Sequence, residues 1–211
     1  LGLFDAKQQL IGHYGIATLK IGPHTAALGM HAYISEQSRG IQSLAKLMTF
    51  VETFAKSQGI DFLIGFARPD FHFVKTTLLK WKTLCWIPFR SQIDIDLRPY
   101  RSLPYRFGYP KEWYSWRFGE DKEIYLSQYE REKTKVLQLL KVKNPDMPIR
   151  NKNPIEVWDP STYSPNRFSG EFSQPVGLRV LGDSCDIKSL TDHKNWHIEM
   201  GDSDTFVYQK I

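Results

Sequence analysis

The sequence predicts an α/β fold. A mixed central sheet with the order β-β-β-α-β-α-β is followed by a smaller, mostly β C-terminal unit. Three observations carry this reading. Residues 2–34 are strand-like runs cut by turn signals. From Ile41 the apolar residues switch to steps of three and four. A short, nearly continuous apolar run, "IDFLIGFA" at 60–67, comes next. A strand, an amphipathic helix and a buried strand in that order make a βαβ unit with a right-handed crossover.

The elements follow in order. Residues 2–4, 10–22 and 26–34 read as strands, with Gly22-Pro23, His24 and Thr25 in the turn before the third. Ile41, Leu44, Leu47, Met48, Val51, Phe54 and Ala55 fall on one face of a helix spanning 37–58. Ser35 and Ser38 suit its N-cap and Gly59 its C-terminal stop. The run at 60–67, bounded by Gly59 and Pro69, has the length of a buried central strand. Pro69 opens a second helix with Phe71, Val74, Leu78 and Trp81 on one face. Residues 83–97 return to strand, with Ile93, Ile95 and Leu97 alternating against Asp94 and Asp96, and Pro88 marks an edge or a bulge.

Beyond this the character changes. We divide the chain into a domain at 1–97, a linker rich in Pro, Arg and Tyr at 98–112, and a C-terminal unit at 113–211. "EWYSWRF", "EIYLSQYER", "TKVLQLLKV", "VGLRVLG" and "NWHIEMGD" read as strands, the second and third as a hairpin over Glu132-Lys133; residues 143–154 read as a loop.

Composition narrows the function classes. Hydrophobic residues make up 41% of 211, enough for a packed core, and no apolar run approaches the ~18–20 residues of a membrane span. Two cysteines about 100 residues apart make no disulfide scaffold. Cys85, between Leu84 and Trp86, reads as a buried thiol, and a reducing cytoplasm is the expected location. With no close Cys or His partner, neither cysteine suggests zinc. The net charge of +5 divides as +4 over residues 1–98 and +1 over 99–211. A surplus this small suits an anionic small ligand and lacks the dense basic face of a nucleic-acid binder. Leu1 opens inside a strand, so N-terminal sequence is expected to be missing.

The stretch "SEQSRGIQSLAKL" (35–47) joins a strand to the long helix. A helix start presents unpaired N–H groups and the positive end of the macrodipole, Gly40 permits close backbone approach, and Arg39 adds charge. An anion cradle and an ordinary serine-capped helix start both fit this spacing.

The element order, the Arg39-Gly40 loop, the helix ending in "AKSQG", the strand "IDFLIGFA" and the helix leading to "LLKW" together resemble the GCN5-related N-acetyltransferase (GNAT) superfamily. The stretch from "SRGIQSLAKLMTFVETFAKSQGI" to "FVKTTLLKWKTL" is similar to a bacterial subgroup with a C-terminal, partial acetyltransferase-like half. The resemblance covers residues 1–97, and "SWRF" and "NWHIEMGDSDTF" are similar to that C-terminal half. It implies acetyl-CoA as co-substrate and an acetyl group passed to a small amine or amino-sugar acceptor. By this resemblance Arg39, Gly40, Ile41, Gln42 and Ser43 hold the pyrophosphate. The backbone of Ala32, Tyr33 and Ile34 aligns the pantetheine and polarises the carbonyl.

The sequence departs from the family pattern at several positions. Gln42 stands where a central glycine is expected and Leu44 where a small residue is. Arg68 stands where an Asn is frequent, and Thr76 where a Tyr protonates the leaving thiolate; the turn after the second helix is Lys80-Trp81. Acetyl transfer needs a base for the amine proton. His31 and His72 are the candidates, with Glu36 a third, although a lone His near a strand end is more often simply hydrogen-bonded.

Other readings stay beside this one. Joint loss of the glycine, the Asn and the Tyr is what a degenerate, non-catalytic binding module would show. "GDSD" at 201–204 fits either a turn or a metal-holding Asp-x-Asp. Arg101, Arg106 and Arg117, interleaved with aromatic residues, fit either linker packing or a single-stranded nucleic-acid platform. We expect no metal, no nucleic acid and no membrane span. The acceptor's identity and the oligomeric state are not legible.

Overall fold

The computed structural model describes residues 1–203 except 120–121, 132–133, 147, 170–171 and 183–185. Glu132 and Lys133, where the sequence predicts a hairpin turn, lie outside the described residues, together with Cys185 and Asp204. β1 (Gly2–Phe4), β2 (Leu10–Ile21) and β3 (His24–Ile34) run antiparallel. The turn between β2 and β3 is tighter than the sequence suggested. Ile21 pairs with His24, so only Gly22 and Pro23 make it, with Gly22 at a φ of 55° that favours glycine. α1 (Ile41–Ser57) then crosses to β4 (Phe62–Phe66), which lies parallel to β3. The expected βαβ unit is present. α1 is shorter than predicted because residues 36–38 form a separate 3-10 turn before it.

α2 (Pro69–Leu78) ends where Lys80 adopts a φ of 57°, so Trp81 belongs to the turn and not to the helix face. The predicted strand at 83–97 is two strands. β5 (Lys82–Pro88) and β6 (Arg90–Ile95) join different sheets, and the chain changes sheet at Phe89. β5 is an edge strand, where Pro88 removes no ladder bond that the sheet needs.

The second half supplies strands to both sheets. Its elements are β7 (Tyr105–Gly108), α3 (Lys111–Phe118), β8 (Ile124–Arg131), β9 (Thr134–Val142), β10 (Ile149–Val157), β11 (Ser173–Val180) and β12 (Trp196–His197). Among the described residues, one sheet has the order β12-β7-β2-β3-β4-β11-β5 with β1 also on β2, and the other has the order β6-β10-β9-β8. β11 is antiparallel to β4 and to β5, between which it lies. Arg179 of β11 donates two 2.8 Å hydrogen bonds to Glu52, which ties α1 down over this strand.

Three local readings need correction. "EWYSWRF" is helical, because Pro110 precedes it and Gly119 stops it in the left-handed region (φ 78°), and these end signals outweigh the β preference of its aromatics. The loop at 143–154 contains the start of β10, whose pairing with β6 breaks between Arg150 and Ile155, so Pro154 falls where the ladder is interrupted. "NWHIEMGD" is strand only at Trp196–His197 and then turns as a 3-10 helix at Met200–Asp202.

Two apolar cores cover the faces of the larger sheet. Leu47, Met48, Val51 and Ala55 of α1 pack with Ala27, Leu63 and Trp81 on one face, and Trp158, Tyr163, Trp196 and Met200 pack with Leu28, Phe62 and Ile64 on the other. Cys85 lies in the second core with its thiol free, and burial pushes its pKa far above the usual range. No helix among the described residues is long and apolar enough to cross a membrane.

Candidate functional site

The site begins where two parallel strands separate. β3 and β4 pair at Ala26–Phe62, Ala27–Leu63 and Leu28–Ile64 and part beyond that point. β3 stays on β2 as far as Ile34, and β4 stays on β11 as far as Phe66. The register of β2 and β3 shifts between His13 and Gly15, so Tyr14 faces both His31 and Ala32 in a bulge. His31 takes a φ of 50° there, a conformation costly for a residue with a Cβ and typical of sites where a bulge re-aims the backbone.

The cleft between the strands is a cavity of about 280 Å³ lined by Tyr14, Gly29, His31, Arg68 and Lys75, among others. It shares Ala32 and Phe71 with an adjoining cavity of about 480 Å³. The end of β3, the start of α1 and one face of α2 enclose this second cavity. Its lining includes Ala32, Tyr33, Ile34, Arg39, Gly40 and Ile41, six of the residues the sequence singled out. Gln42 and Ser43 occupy the first turn of α1 but do not line the cavity, and Gln42 is exposed.

The start of α1 is open. No side chain caps it and no acidic residue sits in its first turn. Neither Ser35 nor Ser38 caps it, and the residue at the N-cap is Gly40. Gly40 is extended (φ 167°), and a Cβ placed on it would meet nothing within 4 Å. Neither backbone conformation nor crowding within the protein therefore calls for glycine here. Arg39 folds back, its Nε donating to the carbonyl of Ile34 at 3.2 Å.

α2 has an unusual orientation. Its apolar residues Phe71, Val74 and Leu78 line the cavity, while His72 and Lys75 are buried against the sheet. His72 is 3% exposed, with Nε2 2.8 Å from the Thr83 hydroxyl and the ring edge-on to Trp86. Burial, helped by the charge of Lys75, lowers its pKa to about 4. It lines neither cavity, so the structure places His31 in the cleft and His72 beneath the helix. Glu36 is exposed and Arg68 pairs with Asp70 at 3.4 Å on the surface. The Thr76 hydroxyl donates to the carbonyls of His72 and Phe73, within the helix itself. Tyr14, Phe71 and Lys75 were not among the residues singled out for chemistry. The legible signal was Gly29 and Gly65, two glycines inside strands.

Met30 lines the cleft and also a cavity of about 700 Å³ on the other face of the sheet. That cavity is walled by Leu28, Tyr109, Trp113, Trp116 and Asp202. Tyr109 and Trp113 stack at 3.6 Å and 7°, and Trp116 is 76% exposed. Asp202, one of the candidate metal-holding aspartates, faces an ammonium instead. Lys141 Nζ lies 2.7 Å from Asp202 and 2.6 Å from Glu199, all three buried. One cation shared by two buried carboxylates divides them. Burial and the Glu199 charge push Asp202 up to about 6. Burial also works to raise Glu199, but Lys141 overcomes it and holds Glu199 below its ordinary value. Of the interleaved arginines, Arg101 pairs with Asp146 at 2.6 Å and Arg117 donates to the Ser203 carbonyl at 2.7 Å.

No family model matches the chain, and no curated protein matches it. Among solved structures it is similar to a GCN5-related N-acetyltransferase from Kribbella flavida, with a TM-score of 0.49 and 11% identity over 85% of this chain and 60% of that one. It is also similar to a GCN5-related N-acetyltransferase from Anabaena variabilis, with a TM-score of 0.47 and 11% identity over 86% of this chain and 62% of that one. The chain thus spans about three-fifths of the length of these two enzymes.

Proposed function

We propose that this chain is an acetyl-CoA dependent N-acetyltransferase acting on a small amine or amino-sugar acceptor. The observation that carries the reading is the parting of β3 and β4 beside an uncapped helix start whose N-cap glycine faces open space. Acetyl-CoA supplies the activated acyl group. The residues fit it: the uncapped start of α1, where Gly40 and Ile41 line the larger cavity, leaves backbone amides for a pyrophosphate, and the apolar side of α2 suits a chain of methylene and amide units. Strand-end backbone at Ala32–Ile34 has parted from β4 and, with the Ile34 carbonyl already accepting from Arg39, offers its other donors and acceptors to such a chain and to the reacting carbonyl.

The acceptor enters from the opposite face, along the aromatic wall of Tyr109, Trp113 and Trp116, and meets the acyl group near Met30. His31, exposed in the cleft, takes the proton that the acceptor nitrogen loses. An exposed tryptophan beside a stacked pair suits the flat face of a ring, which favours a ring-bearing amine such as an amino sugar. The second reading is the non-catalytic binding module. Thr76 favours it, because its hydroxyl is committed to helix carbonyls and stands where a proton donor is expected.

Calorimetric titration of the full chain with acetyl-CoA, followed by coenzyme A release in the presence of a panel of primary amines that includes glucosamine, tests the proposal. Micromolar binding with release stimulated by an amine is the expected result. Binding without release from any amine selects the binding module, and no binding overturns the acetyltransferase reading and leaves the degenerate module.

A further inference from the structure

Two strand positions at the floor of the cleft carry no side chain, and their places are taken from elsewhere. A Cβ on Gly29 would lie 2.1 Å from the Tyr14 hydroxyl, and a Cβ on Gly65 would lie 3.0 Å from Lys75 Nζ. The two glycines stand on β3 and β4, one residue past the last pair the strands share. The chain therefore gives up two side chains where the strands part and brings a phenol and an ammonium there. Lys75 is 2% exposed, and its Nζ sits 3.3 Å from the centre of the Trp81 ring. An ammonium this deep is costly to desolvate, so a fully buried lysine is held by the groups around it. The ring of Trp81 offsets part of that cost. Both Tyr14 and Lys75 line the cleft.

We propose that Lys75 is a catalytic residue of the transfer, stabilising and then protonating the departing thiolate of coenzyme A, with Tyr14 beside it. This rests on the acetyl-CoA reading above. The acceptor nitrogen bonds to the carbonyl carbon, the carbon–sulfur bond breaks, and the electron pair leaves on sulfur. The Lys75 ammonium gives its proton to that sulfur, and His31 takes the proton lost by the acceptor nitrogen. Lys75 then regains a proton from water and His31 releases one, so the cycle balances. Ammonium and thiol have ordinary pKa values of about 10.4 and 8.5, close enough for the proton to pass. The arrangement also accounts for Thr76, because a neighbouring residue on the same helix supplies the proton.

The charged and titratable groups that line the cleft with Lys75 are Tyr14 from β2, His31 from β3 and Arg68 after β4, and His72, one turn back on α2, feels its charge. The test needs no acceptor. Acetyl-CoA and free coenzyme A are titrated into the full chain at pH 7, 8 and 9. A site that favours thiolate binds free coenzyme A more tightly, relative to acetyl-CoA, as pH rises towards the thiol's solution pKa. The gain approaches tenfold per pH unit. In Lys75→Met the gain should vanish while acetyl-CoA affinity stays within about twofold, and Lys75→Arg should keep it. A gain that persists in Lys75→Met, or no gain in the unaltered protein, overturns the assignment. The second result does so even if the variant fails to fold. Failure of acetyl-CoA itself to bind would overturn the functional reading first, and this one with it.

Discussion

α1 and α2 both follow a parallel-sheet strand, and both carry an apolar stripe at helical spacing. They use it in opposite ways. α1 turns Leu47, Met48, Val51 and Ala55 onto the sheet and buries them. α2 buries His72 and Lys75 and leaves Phe71, Val74 and Leu78 on a cavity wall. An apolar stripe on the sheet is stabilised by burial and needs no further account. Where the polar side is buried and the apolar side faces a cavity, the fold gives up stability, and a ligand-facing surface is the physical reason for the arrangement.

Substitutions that treat the two helices alike should separate them. Met48→Ala, in the core under α1, should cost about 2–5 kcal/mol in denaturant unfolding. Lys75→Met, at an equally buried position on α2, should cost about 1–2 kcal/mol, since it removes a desolvated charge together with its contact to the Trp81 ring. A second buried lysine is the control. Lys141 holds two buried carboxylates, and Lys141→Met should cost about 3–5 kcal/mol by leaving both without their cation. That cost should be smaller at pH 5 than at pH 8, because protonation relieves the carboxylates. If Lys75→Met proves as costly as Lys141→Met, Lys75 is structural and the contrast between the helices fails.

Val74→Asp should weaken acetyl-CoA binding tenfold or more, about 1.4 kcal/mol, by placing a negative charge on the cavity wall. Stability should change by less than about 1 kcal/mol, because the side chain is only half-buried. Gly40→Glu should have the same signature at the helix start, where a side chain meets no protein atom.

The pH prediction concerns Asp202. Its pKa in the folded protein is raised from 3.8 to about 6, so the native state holds this proton more tightly than the unfolded chain. Its contribution to stability is therefore largest below 3.8, falls as pH rises through 6, and is flat above. Urea midpoints measured from pH 4 to pH 7 should show that slope in the unaltered protein and lack it in Asp202→Asn. The smallest effect is expected from Gln42→Gly. The side chain is exposed and does not line the cavity, so acetyl-CoA affinity should stay within about twofold and stability fall by less than about 1 kcal/mol.

About half of the candidate site was readable in the sequence. The residues on continuous chain were found, from Ala32 to Ile41, because one strand end and one helix start bring them together. His72 was misjudged as an accessible base. It lies on the apolar-stripe helix, and nothing local says which side of that helix will face the sheet. Lys75 was overlooked for the same reason, and Tyr14 because it reaches the cleft through a bulge in a strand pair. Gln42 drew attention as a departure in the loop, yet its side chain lies outside the cavity.

Short-range physics determined much of this protein from sequence alone. Strand-like runs cut by turn signals set β2 and β3, the 3.6-residue period set α1, and length with flanking Gly59 and Pro69 set β4, since each depends on residues a few positions apart. The tertiary structure decided what depends on distant partners. It placed β11 between β4 and β5, across more than 80 residues of intervening chain, and moved β6 to a different sheet from β5. It also opened β3 from β4 and turned α2 with its polar side inward. Strand pairing and helix rotation are settled by which surfaces meet, and a local pattern describes only one of the two.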